Sequence, residues 1–242
     1  MALSPFRYQL AFFSGNLDIP VKADVILKLT QLYSAYELIP STFQEIGIGL
    51  AGPVPRVRLS SISGEWGIDL ASDRIDIEKV PTDQHAKNMG SEEAFCTEAL
   101  TLLGLFLKTY PRKAARVAFV LKGIVPDDDE GKMRDRFEAL FKTVPYYGQN
   151  PSFEWINRVC GSGLWKRQAE VEHLNVISTV IRGKPIARGG LKGELNDRII
   201  AEFDVNTKPE WNAARFDLED TREFAAMALG TIRELQKQYG FN

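Results

Sequence analysis

Cysteine and histidine are nearly missing from this chain, with two of each in 242 residues. Cys96 and Cys160 form no CxxC pair and no disulfide framework, so a reducing cytoplasm is the simplest expectation. Both read as small buried hydrophobes. His85 falls in a polar loop and His173 in a strand beside Glu170 and Glu172, and two histidines do not furnish a His-rich zinc site. Long apolar runs are also missing. The apolar stretch at 99–107 is well short of the roughly 20 residues a membrane helix needs. Arg7 interrupts the first apolar run, so no signal peptide is expected. Neither charge sign dominates, with 30 Lys and Arg against 32 Asp and Glu. That balance gives no global argument for nucleic acid or an anionic membrane.

What the chain does have is a sentence written twice. It reads Phe95-x-x-x-Ala99-Leu100-x-x-Leu103-x-x-x-x-Lys108-x-Tyr110 and later Phe224-x-x-x-Ala228-Leu229-x-x-Ile232-x-x-x-x-Lys237-x-Tyr239. Each copy follows a strand-like segment with Asp-Arg-Ile, at Asp73 to Ile75 and at Asp197 to Ile199. Phe, Ala and Leu or Ile at this spacing share one helix stripe, the pattern of a helix lying on a sheet.

The periodicity predicts a strand at 6–14 and a helix from Pro20 to about Tyr36, closed by Pro40. A period-two pattern runs from Thr42 to Val80 with turns at Ser63-Gly64 and Ser72-Asp73, which is an antiparallel meander. Ser91 is the predicted cap of a helix reaching Tyr110. The second half repeats the order: a strand at 115–124, a helix around Met133 to Phe141, strands at 153–159, 169–181 and 199–205, and a helix from Asp220 or Thr221 to Tyr239. The expected class is α+β, antiparallel sheets covered by helices, with internal duplication of a strand-helix-strands-helix unit. The expected division is 1–112 and 113–242, as two related lobes or one fused domain.

The stretch Gly64-Glu65-Trp66-Gly67-Ile68-Asp69-Leu70-Ala71-Ser72-Asp73-Arg74-Ile75, followed by the Phe95 helix, resembles a sporadically distributed bacterial family of unknown function. Glu202-Phe203-Asp204-Val205 is similar to that family's acidic-apolar strand, and Phe241 closes the last helix in the same manner. The segment 116–123 departs from the family's pattern. The resemblance implies no reaction. The family's patchy distribution implies accessory roles in mobile elements, toxin–antitoxin pairs or phage defence.

Candidate chemistry is sparse. Asp127, Asp128, Asp129 and Glu130 could gather a divalent cation, but they lack EF-hand spacing and precede a helix, where negative charge is favoured by the dipole. A nucleophilic Cys160 would need Arg158 or His173 beside it after folding. Arg112, Lys113 and Arg116 follow a helix C-terminus, where cations need no ligand to explain them. Trp155, Trp165 and Trp211 fall in or near predicted loops, where exposed indoles would make interface anchors. The most unusual composition is 182–193, which places Arg182, Lys184, Arg188 and Lys192 among four glycines without the spacing of a P-loop. Basic side chains on a free backbone suit a phosphate or an acidic partner.

These observations point to a non-enzymatic cytoplasmic protein-interaction component that binds another protein or a second copy of itself, in a bacterial defence or toxin–antitoxin setting. No catalytic residue, metal site or cofactor is expected. A nucleic-acid or nucleotide-binding protein using the 182–193 hairpin is the alternative. A metal-assisted hydrolase using the Asp127 cluster with Glu170 or Glu172 is the second.

Overall fold

The computed structural model describes residues 3–16, 18–46, 52–83, 86–125, 135, 137–141, 154–167, 170–183, 198–209 and 213–241. Among these residues nine strands form one antiparallel sheet: β1 (Ser4–Phe13), β2 (Leu38–Glu45), β3 (Val54–Ser61), β4 (Trp66–Leu70), β5 (Ile75–Lys79), β6 (Arg116–Ile124), β7 (Glu154–Arg167), β8 (Glu170–Gly183) and β9 (Arg198–Thr207). Their order is β2-β3-β4-β5-β1-β6-β9-β8-β7. The joint lies between β1 and β6, where Leu10 faces Phe119 and Phe12 faces Val117. Strands from 1–112 and from 113–242 therefore share one hydrogen-bonded sheet.

Among the described residues, three helices of ten residues or more cover one face: α1 (Ala23–Leu32), α2 (Glu92–Thr109) and α3 (Leu218–Gln238); residues 137–140, within the helix expected around Met133 to Phe141, are helical as well. The alternation of Tyr8, Leu10 and Phe12 in β1 decides which face that is. All three are buried, and across the register they align with Ile77 and Ile75 of β5 and with Leu121, Phe119 and Val117 of β6. Onto this surface α2 sets Phe95, whose ring lies 5.2 Å from Tyr8, 5.5 Å from Trp66 and 5.8 Å from Phe119. On α3, Phe224 packs against Trp165 with ring centroids 5.6 Å apart. Phe95, Ala99 and Leu103 on α2 and Phe224, Ala228 and Ile232 on α3 are all fully buried. Gly104 lets the helices meet, since a Cβ there would sit 3.1 Å from the Leu218 side chain. Tyr33, just past α1, donates its hydroxyl proton to the carbonyl of Leu102 at 3.0 Å. Burial raises the Tyr33 phenol far above its ordinary pKa, so it stays a donor at any physiological pH.

Several local expectations need correcting. Pro40 does not close a helix. It lies inside β2, an edge strand, the position in a sheet where proline is tolerated. Ser91 caps α2 as predicted, its hydroxyl accepting from the Ala94 amide at 3.2 Å. The cap of α3 is Asp217 rather than Asp220 or Thr221. Asp217 Oδ1 accepts from the Glu219 and Asp220 amides at 3.0 and 3.1 Å, and Asp220 reaches back to the Asp217 amide at 3.1 Å. This reciprocal box satisfies donors that the first helical turn leaves over. The strand predicted at 153–159 runs on to Arg167, straight through Gly161-Ser162-Gly163.

Candidate functional site

The outermost strand, β7, is fourteen residues long and pairs on one side with β8, over the register Glu154↔Gly183 to Arg167↔Glu170. No described strand pairs with its other side. An edge of that length offers a row of backbone donors and acceptors to an incoming strand. Ile156, Val159 and Leu164 are more than half exposed along it. The opposite edge differs. Strand β2 has eight residues, is interrupted by Pro40, and has Glu45 engaged by Arg56 at 2.8 Å. Short length, proline and charge are the usual ways of blunting an edge, and through 156–164 β7 has neither shortness nor proline and a single charged side chain, Arg158.

A buried ionic network holds the far end of β7 in place. Arg167 reaches Asp220 of α3 at 3.1 Å, Glu172 at 3.4 Å and Glu170 at 2.6 Å. Glu172 is in turn gripped by Arg215, with Nε–Oε1 and Nη2–Oε2 both at 3.0 Å. The Phe216 ring lies under both guanidiniums, 4.4 Å from Arg215 Cζ and 5.3 Å from Arg167 Cζ. The two arginines hold the Glu172 carboxyl below its ordinary pKa, overcoming a burial effect that acts in the opposite direction. Trp165, expected near a loop, is 5% exposed and stacks on Phe216, which completes the anchor. The β7–β8 hairpin is thereby fixed to the start of α3 by charged hydrogen bonds out of water, where they are strong.

The four basic residues predicted as a partner or phosphate site are only partly visible. Arg182 lies in β8 opposite Trp155 of β7. Lys184, Arg188 and Lys192 lie outside the described residues, as do His85, Trp211 and the Asp127–Glu130 cluster. The Trp155 ring meets Phe137 edge-on at 6.2 Å, so part of its surface goes to packing. Cys160 is exposed on β7, against the expectation that it is buried, whereas Cys96 is buried. Burial first, and then Glu92 and Glu93, push the Cys96 thiol up to about 12. Cys160 faces Ile177 across the register, and His173 faces Leu164. Four residues of strand separate the two positions, about 13 Å at the usual rise, so they do not form a thiol–imidazole pair. Glu172, named for metal-assisted chemistry, is instead consumed by the arginine network. Among the described residues no group of three or more His, Cys, Asp or Glu is placed to hold a metal ion.

The basic cluster at 112–116, explained in sequence by a helix C-terminus alone, separates in space. Arg112 does cap the end of α2, donating to the Tyr110 carbonyl at 3.1 Å, but it also donates to the Gly15 carbonyl at 2.7 Å and pairs with Asp18 at 3.1 Å. Lys113 and Arg116 point elsewhere, into a cleft at the end of the central strands. No described helix is long and apolar enough to cross a membrane. No family model, no curated protein and no solved structure matches this chain.

Proposed function

We propose that this chain is a protein-interaction component that accepts an extended segment of another protein as a tenth strand beside β7. The observation that carries this reading is the long outer edge of β7, free of proline and with Arg158 as its one charge through 156–164, anchored at its far end by the Arg167–Glu172–Arg215–Asp220 network. In strand addition, main-chain bonds give affinity and alternating side chains give selectivity. The exposed Ile156, Val159 and Leu164 supply the apolar contacts. The family resemblance adds the setting, an accessory protein of a bacterial defence or toxin–antitoxin assembly working in the cytoplasm.

The two halves, in this reading, descend from one duplicated strand-helix-strands-helix unit. Supporting it are β1 and β6 side by side at the centre, α2 and α3 closing each half, and the matching buried Phe, Ala and Leu or Ile on both helices.

The test is affinity capture from the native host, followed by edge-blocking variants. Val159→Lys and Leu164→Lys place charge on the edge at exposed positions, where stability should change by no more than about 0.5 kcal/mol. Recovery of the partner should fall about tenfold in each variant while the melting temperature holds, a loss of roughly 1.4 kcal/mol of binding. Undiminished recovery removes the reading, as does a monodisperse chain that captures nothing reproducibly. Light scattering separates a second copy of the chain from a different protein.

The nucleic-acid alternative rests on Arg182, Lys184, Arg188 and Lys192. If it held, binding to short DNA and RNA would weaken steeply with salt, and changing all four residues to Ala would abolish it.

A further inference from the structure

The ends of β1, β6 and β9 converge with the β4–β5 turn around a cleft of about 430 Å³, lined among others by Phe13, Ser14, Asp73, Lys113, Arg116 and Pro209. Most described guanidiniums in this protein meet a carboxylate: Arg56 with Glu45, Arg58 with Asp69, Arg112 with Asp18, Arg167 with Asp220, Arg215 with Glu172 and Arg233 with Glu92. Arg116 departs from that rule. Its Nε is buried and makes no hydrogen bond, and it forms no ion pair with any described residue. What it does touch is the Phe13 ring, 4.5 Å from its Cζ. Arg74 approaches the same ring at 6.0 Å, with its own Nε engaged by Asp76 at 2.6 Å. Burial pushes the Arg116 guanidinium down from its ordinary value. The Asp204 carboxylate, too far away to form an ion pair, opposes that push, and the neighbouring Arg74 charge adds to it.

A partly desolvated cation with no carboxylate in direct contact, and with Asp204 acting on it only at a distance, is costly to keep. The aromatic face under Arg116 offsets part of that cost but leaves the buried Nε without an acceptor. Lys113 lines the same cleft and is held only loosely, 3.6 Å from Asp217. Asp73 at the cleft lowers the local positive charge, which favours a singly charged ligand over a polyanion.

We propose that this cleft binds a small molecule through a monoanionic oxyanion, carboxylate or phosphate, gripped by the fork of Arg116 and the ammonium of Lys113 with Phe13 and Pro209 as its apolar wall. Guanidinium matches a planar or tetrahedral oxyanion with two parallel N–H bonds, and Phe13 fixes the plane from which they project. The site is independent of the β7 edge and lies at the centre of the sheet.

The test is calorimetric titration of the full chain at pH 6 with inorganic phosphate and, separately, with acetate, at constant ionic strength set by chloride. Saturable binding of at least one anion is expected, and whichever binds names the oxyanion. Arg116→Met should weaken it about tenfold or more, and Lys113→Ala by about threefold to tenfold, in line with the loss of one charge-assisted contact each. Without anion, Arg116→Met should melt at or above the wild-type temperature, because it removes a partly buried charge that forms no ion pair with any described residue. A purely structural arginine gives the reverse, a lower melting temperature with titrations unchanged. If neither anion saturates, or both variants bind as the wild type does, the proposal is overturned. Should Arg116→Met fail to fold, Lys113→Ala decides alone, its side chain being 54% exposed.

Discussion

Glu172→Gln is expected to lower the stability of this protein by about 3–5 kcal/mol, the usual loss when one partner of a buried ion pair is removed. Arg167 and Arg215 then remain out of water with too little opposing charge, although glutamine keeps the shape of the side chain. For a chain of this size that is roughly a 10 °C fall in melting temperature. Arg215→Met should cost a similar amount. The double variant should lose at least about 1 kcal/mol less than the sum, because one interaction cannot be broken twice. An additive double variant would show that the network does not act as a unit. The pH dependence has a definite sign. The folded-state pKa of Glu172 is depressed, so its contribution is fully present above the ordinary glutamate value of about 4.3 and is lost as pH falls through the lower folded value. Wild type and Glu172→Gln should therefore converge in stability in strong acid and show their full, constant difference above about pH 4.5.

Phe95→Ala and Phe224→Ala should each cost about 3–5 kcal/mol, measured by denaturant or thermal unfolding. Both rings are fully buried, and each is caged by other aromatics, Tyr8, Trp66 and Phe119 around Phe95 and Trp165 beside Phe224. Neither cage can collapse easily, because its walls are strand residues fixed in register and the cavity left behind stays open. Phe→Leu at the same positions should cost markedly less. The two truncations test the proposed duplication as well as the packing: comparable losses fit two helices in equivalent roles. A loss under about 1 kcal/mol at either site would show that its helix is not part of the common core.

How much of this was legible beforehand depends on how local the signal was. The Phe95 and Phe224 stripes, the Ser91 cap and the alternation of Val57 with Leu59 and of Trp66 with Ile68 and Leu70 are readable because helix and strand periods are written in neighbouring residues. Pro40 misled because a proline that ends a helix and a proline in an edge strand look the same without knowing where the edge is. Gly161-Ser162-Gly163 misled for a related reason. Glycine suggests a loop, but here a long register with β8 overrides its weak strand preference. Asp217 lost to Asp220 as a predicted cap because each is an acceptable cap residue, and the choice turns on where β9 releases the chain.

The candidate sites were hardest to read. The 182–193 segment attracted notice through composition, yet of its four basic residues the described structure places only Arg182. The edge of β7 had no sequence signal, because being an edge is a property of the neighbours a strand lacks. Arg116 was grouped with Arg112 and Lys113 by proximity in the chain. A one-residue difference in strand phase then sent it to the face of the sheet opposite the helices, onto Phe13.

By itself the sequence determined the class of the protein, the identity of its helices and most strands, and which residues enter the core, because hydrophobic periodicity is a short-range pattern that burial then enforces. Only the tertiary structure decided that β1 and β6 join the halves into one sheet, that β7 ends it among the described strands, and that Arg167 meets Asp220 while Arg116 forms no ion pair with any described residue. Those outcomes depend on strand order and on desolvation among residues far apart in the chain, and neither leaves a local mark.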